Sequence, residues 1–148
     1  MSERIEARPQ RVWGLIADPT SMDDLTAECT AMEWASGSTG PAVGARFRGK
    51  NRSGWRRWTT TCTIVSYEPG AEIAWDVAYG PLAVARWGYR LEPGDTDETT
   101  VLHERFEDHR GGLMRAVGPL VRGTRDAEAL NRGHMRSTLE RIKDKAEA

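Results

Sequence analysis

No run of about 18 uncharged apolar residues, the length a helix needs to cross a bilayer, occurs anywhere in the chain. No membrane span is therefore expected. The opening MSERIEARPQ carries charges but lacks the apolar segment of a secretory signal. Cysteine is scarce. Cys29 and Cys62 are too few for a disulfide framework and too far apart for a metal knuckle, so a reduced, cytoplasmic setting is expected. Lysine is also rare: only Lys50, Lys143 and Lys145 stand among 21 basic residues, a bias without a physical account. Basic and acidic residues nearly cancel, leaving a formal net charge of −1, which argues against a surface built for nucleic acid. His103, His109 and His134 lack ligand spacing. The HERFE run lacks the second histidine of a zinc-protease helix and falls on a strand pattern, so neither metal nor cofactor is expected.

Tryptophan, by contrast, is abundant. Six such large, flat side chains imply either a heavy core or an aromatic-lined cavity. Residues of the AVILMFWYC set make up 39% of the chain, enough for one core, and no repeat or Gly/Ser linker divides it. Residues 1–148 are expected to form one domain.

After a brief strand around Ile5, the segment from Arg8 to Pro19 reads as a helix. Pro9 suits its first turn, and Val12, Trp13, Leu15 and Ile16 make its apolar face. Thr20 and Asp23 suggest caps for a second short helix through Leu25. From Cys29 the period changes to two. Met32 and Trp34 alternate with Ala31 and Glu33, and Thr30 is expected beside Met32. Phe47, Gly49 and Asn51 then oppose Arg46, Arg48, Lys50 and Arg52. Beyond the Ser53-Gly54 turn, Trp58, Thr60, Cys62 and Ile64 share a face, as do Ile73, Trp75, Val77 and Tyr79. The next strands align Ala83, Ala85, Trp87, Tyr89 and Leu91, then Leu102, Glu104 and Phe106. At ~100° per residue, Leu113, Val117, Leu120, Thr124, Ala127, Asn131, Met135, Thr138 and Ile142 form one helical stripe. Gly118-Pro119 within it predicts a kink or break.

This order of elements resembles the START-like helix-grip superfamily, in its bacterial polyketide cyclase/dehydrase and lipid-transport (SRPBCC) branch. The resemblance rests on Pro9, Val12 and Trp13 before Asp18-Pro19, the run from Gly40 to Phe47, and the Trp58–Cys62 and Arg86-Trp87 strands. Asn131, Arg132, Gly133 and Leu139 complete it. One departure is that only Met1 to Glu6 stand for a first strand that is usually longer. The resemblance implies an α+β fold. A curved antiparallel sheet of about six or seven strands would wrap a long C-terminal helix, with two short helices near the N-terminus. It also implies a cavity between sheet and helix for a hydrophobic, polyketide- or lipid-like molecule.

The residues read by themselves agree with such a cavity. Met32, Phe47, Trp58, Trp75, Tyr79, Trp87 and Tyr89 fall on inward faces, a set able to wall a pocket or simply to fill a core. Among them lie polar residues that need a reason to face inward, since an unpartnered buried polar group costs about 1–3 kcal/mol. Glu104, between Leu102 and Phe106, reads either as a ligand-binding or acid/base group or as the partner of an inward arginine. Asn131 reads as a ligand contact or as a partner for backbone or water, Asn51 as a residue of the cavity mouth, and Thr60 as a weaker candidate. Met135 joins the candidate lining from the helix stripe. Cys62 reads as a small buried hydrophobe. The stripe of Arg46, Arg48, Lys50 and Arg52, extended by Arg57, reads as a solvated sheet face, with attraction of an anion as the alternative.

Two functions remain open on the sequence. One is a carrier of a hydrophobic small molecule; the other is a cyclase, aromatase or dehydratase using Glu104. A third, a surface-acting regulatory protein, has no specific support. A homodimer through a sheet edge is possible in principle.

Overall fold

The computed structural model describes residues 1–26, 29–122 and 127–148. Alternating sequence becomes strand almost wherever it occurs. The order is β1 (Ser2–Ile5), α1 (Pro9–Ile16), a 3₁₀ turn (Pro19–Ser21), β2 (Cys29–Ala35), β3 (Arg46–Ser53), β4 (Arg56–Glu68) and β5 (Glu72–Tyr79). Then follow β6 (Leu82–Pro93), β7 (Thr100–Asp108), α2 (Gly112–Arg122) and α3 (Ala127–Glu147). The seven strands form one antiparallel sheet in the order β1-β7-β6-β5-β4-β3-β2. Two-residue reversals link β3 to β4 and β5 to β6. Ser53 pairs with Arg56, leaving Gly54 and Trp55 at the tip, where Gly54 takes the positive φ (62°) that a side chain would disfavour.

Three register shifts interrupt the ladders, at Cys29/Ala31, Ile64/Ser66 and Val77/Ala78. An extra residue on one strand bends it and increases its twist, so these shifts help curl the sheet. They also re-aim side chains that strict alternation misplaces. Thr30 is exposed and donates to the Lys50 carbonyl, while Cys29 turns inward. Likewise Ala83 is exposed, and Val84 replaces it on the inner face.

The core occupies one end of the concave face. Ile5, Val12, Ile16, Met22, Ile64, Ile73, Leu91 and Leu102 pack there against Leu139, Ile142 and Ala146 of α3. Pro9 opens α1 at its first position, as its missing N–H allows. The expected second short helix is instead the single 3₁₀ turn, capped by Asp18, whose carboxylate accepts from the Thr20 N–H at 2.9 Å and hydroxyl at 2.6 Å.

The tail is two helices, in keeping with the expected kink or break, but α2 runs through Gly118-Pro119 to Arg122, so the proline removes one main-chain donor without ending the helix. Leu113 and Leu120, expected inside, are 62% and 76% exposed, while Met114 is buried. The stripe carried one helical phase from residue 113 to 142. As a separate element, α2 turns Met114, Gly118 and Val121 inward, and the two leucines fall well off that face. On α3 the expected Asn131, Met135, Thr138 and Ile142 are buried; Thr124 lies outside the described residues.

Candidate functional site

Beyond the core, the concave face of the sheet does not close on the helices. A cavity of about 170 Å³ remains between β2–β7, the inner face of α2 and the first half of α3. The strands supply its aromatic wall. Successive inward positions place Phe47 on β3, Trp58 on β4, Trp75 and Tyr79 on β5, Trp87 and Tyr89 on β6, and Phe106 on β7. Phe47 and Trp75 meet edge to face at 5.6 Å between centroids, and Trp75 and Tyr89 lie 5.8 Å apart at a tilt. The ring pairs brace one another in favourable geometries. Three of the six tryptophans line the cavity. Trp13 and Trp34 pack around the core, and Trp55 stands in solvent.

Polar groups interrupt this wall at few places. Glu104, on β7, is only 1% exposed. Its Oε1 accepts from the Tyr89 hydroxyl at 2.7 Å, and no inward arginine among the described residues pairs with it. Its Oε2 is buried with no hydrogen-bond partner among the described residues. Burial raises the carboxyl's pKa to about 8 against the opposing effect of the Tyr89 hydrogen bond, so at neutral pH the group holds its proton. Burial also raises the Tyr89 phenol well above its ordinary value, with the neighbouring carboxylate adding to the effect. A neutral acid with a free oxygen edge, set among rings, can donate a hydrogen bond to a carbonyl or hydroxyl oxygen.

On the β3–β4 side, the Asn51 amide donates to the Thr60 hydroxyl at 3.1 Å and the Gly49 carbonyl at 3.2 Å. These two side chains satisfy each other within the wall. Asn131 and Thr138 reach the cavity from α3 with His134 beside them, and Arg110 reaches it from the β7–α2 connection. Arg110 is held by Asp108 at 2.9 and 3.0 Å, which lowers that carboxyl's pKa to about 2.

Of the expected site residues, the cavity brings together Met32, Phe47, Asn51, Trp58, Thr60, Trp75, Tyr79, Trp87, Tyr89, Glu104 and Asn131. Met135 is buried but does not line it. Sequence reasoning missed the α2 contribution (Met114, Gly118, Pro119, Val121) and Val84. The helix phase and the bulge concealed them; the i, i+4, i+7 spacing of Met114, Gly118 and Val121 was the available signal. Cys62 lines the wall as a buried thiol whose pKa burial raises to about 12, which makes it a poor nucleophile. Among the described residues no group of three His, Cys, Asp or Glu side chains is arranged to hold a metal ion, and no helix is long and apolar enough to cross a membrane.

A curved sheet gripping a C-terminal helix across an apolar cavity defines the helix-grip class of proteins. Within that class, the chain belongs to the polyketide cyclase/dehydrase and lipid transport family, whose model matches residues 1–147. Solved structures agree on the fold. A polyketide cyclase-like protein from Corynebacterium glutamicum is 28% identical with a TM-score of 0.59, over 97% of this chain and 86% of that one. The aromatase/cyclase Zhui from Streptomyces sp. R1128 is 20% identical with a TM-score of 0.66, over 99% and 91%. The di-domain aromatase/cyclase StfQ of the steffimycin biosynthetic pathway is 13% identical with a TM-score of 0.71. The match covers 99% of this chain but only 44% of that longer protein. No curated protein matches the chain.

Proposed function

We propose that this protein binds a small, hydrophobic, ring-bearing molecule in the cavity, with Glu104 and Tyr89 orienting its oxygen. One observation carries the reading: a buried carboxyl, one oxygen of which has no partner among the described residues, borders a void walled by aromatic rings. An unmet buried hydrogen-bonding atom lowers stability by about 1–3 kcal/mol, a cost that a ligand's oxygen would remove. Volume sets the scale. About 170 Å³ is close to a cavity that holds benzene, roughly 150 Å³, and below the usual range for ligand pockets, about 300–1,000 Å³. In this conformation the space suits one or two fused rings. A longer polyketide or lipid chain would require α2 to move. The reading extends to a cytoplasmic carrier of such a molecule.

A second reading is catalysis of the cyclase, aromatase or dehydratase type. It is favoured by the elevated pKa of Glu104, which places a proton donor and acceptor near the working pH. Against it, the cavity offers few other groups to move protons. Titration with aromatic polyketides, flavonoids and fatty acids, followed by tryptophan fluorescence, separates the two. Saturable quenching without turnover supports the carrier. Product formation that Glu104→Gln abolishes supports the enzyme, and silence from every ligand class overturns both.

A further inference from the structure

Five large apolar side chains stand exposed among the described residues: Met1, Val43, Trp55, Leu113 and Leu120. Arg56 joins two of them at one end of the molecule. Its guanidinium lies 4.4 Å from the centroid of the Trp55 ring at the β3–β4 tip, and its Nε donates to the Leu120 carbonyl at 3.2 Å. Trp55 is 81% exposed, and Leu113 lies two turns before Leu120 on the same outer flank of α2. An indole and a leucine gathered by one arginine, with a second leucine two turns away on the same flank, expose apolar surface to water, and such a patch on a folded protein marks a contact surface.

The charge carried by the hairpin tip and by α2 has one sign. Residues 50–57 contain Lys50, Arg52, Arg56 and Arg57 and no acid, and α2 contains no acid either. At the start of α2, Asp108 is already bound by Arg110. A shallow outer groove beside the tip is walled by Thr30, Lys50, Arg52, Arg57 and Thr59 together with Asn51 and Trp58. Asn51 and Trp58 also border the inner cavity, so the basic groove adjoins its edge. Helix α2 is likewise shared: its inner face closes the cavity while its outer flank carries the exposed leucines.

We propose that this end of the protein docks on an anionic lipid bilayer, with Trp55, Leu113 and Leu120 entering the headgroup boundary and Lys50, Arg52 and Arg57 facing lipid phosphates. Indole rings favour that boundary, and arginine stems lie along apolar surface while their heads reach phosphate. The apolar groups sit on a hairpin tip and a helix flank, which are shapes that enter a soft surface. The uncompensated cations beside them select negative charge. Docking here sets the cavity's covering helix against the lipid, giving an apolar molecule a path that avoids water.

Co-sedimentation with phosphatidylcholine vesicles containing about 30% phosphatidylglycerol tests the proposal. Binding is expected to weaken at least about tenfold on pure phosphatidylcholine, and again when salt is raised from about 0.05 to 0.5 M. The Trp55→Ser/Leu120→Ser and Arg52→Glu/Arg57→Glu double variants should each bind at least about tenfold more weakly. Their thermal melts should stay cooperative, and fluorescence quenching by cavity ligands should be unchanged. If the first double variant fails to fold, Trp55→Ser alone, at the exposed tip, is judged by the same criterion. Absence of binding to anionic vesicles, or undiminished binding by the folded variants, overturns the proposal. A concentration-dependent dimer in light scattering that Trp55→Ser abolishes also overturns it, because the patch would then belong to a second copy.

Discussion

Tyr89 and Glu104 sit directly opposite each other on β6 and β7, and the phenol donates to the carboxyl at 2.7 Å inside an otherwise apolar wall. Cross-strand partners on one face lie side by side, so the antiparallel register alone brings an acid and a phenol together. The pair joins the sheet's geometry to the chemistry available in the cavity.

The first prediction concerns pH. Folding raises Glu104 from an ordinary 4.5 to about 8, so between those values the folded protein keeps a proton that the unfolded chain has released. Its contribution to stability is full below about pH 4.5 and is lost as pH rises through about 8. Over that window the wild type should lose up to roughly 1.4 kcal/mol per pH unit relative to Glu104→Gln. Urea midpoints at pH 5, 6.5 and 8 check this; a gap that does not grow with pH contradicts it.

Tyr89→Phe should act through the same pair. It removes the hydrogen bond that holds the Glu104 pKa down and leaves Oε1 unpaired, so stability should fall by about 1–3 kcal/mol. The pH dependence should also move to higher pH. Chemical denaturation of the variant across the same pH series reads both effects.

Trp75 is 6% exposed and packs against both Phe47 and Tyr89. Trp75→Ala should lower stability by about 3–5 kcal/mol. If the variant folds, its enlarged cavity should admit bulkier ring systems than the wild type. Thermal melts and quenching titrations with ligands of increasing size measure the two effects.

Burial holds the Cys62 thiol near pKa 12, so the reactive thiolate is scarce in the folded state. Iodoacetamide at pH 8 should leave Cys62 unmodified for hours and label it promptly in urea, as peptide mass spectrometry would show. Rapid labelling of the native protein would show that the wall opens at this point.

Much of this site was legible in the sequence because its wall is made of strands. A period of two assigns each residue to a face with little ambiguity, and Trp58, Trp75, Trp87, Tyr89 and Glu104 all line the cavity where alternation puts them. Alternation failed where an inserted residue shifts the phase, at Thr30 and Ala83, since bulges leave no sharp mark in composition. For the helices, a single phase was carried across a stretch where a kink or break was expected. A stripe carried unbroken from residue 113 assigned α2 the wrong face, sending Leu113 and Leu120 inward and missing Met114. The 3₁₀ turn at Pro19–Ser21 is a similar case: Asp18 supplies the cap, but the helical bonding does not extend beyond one turn.

The packing of Leu139, Ile142 and Ala146 into the sheet has a consequence for biosynthesis. A ribosome makes every strand of the sheet before it makes α3, so a nascent chain carries an uncovered aromatic trough while translation continues. Stable closure must wait for α3 to emerge, and a chain stalled before Leu139 would be a natural client for chaperones and proteases.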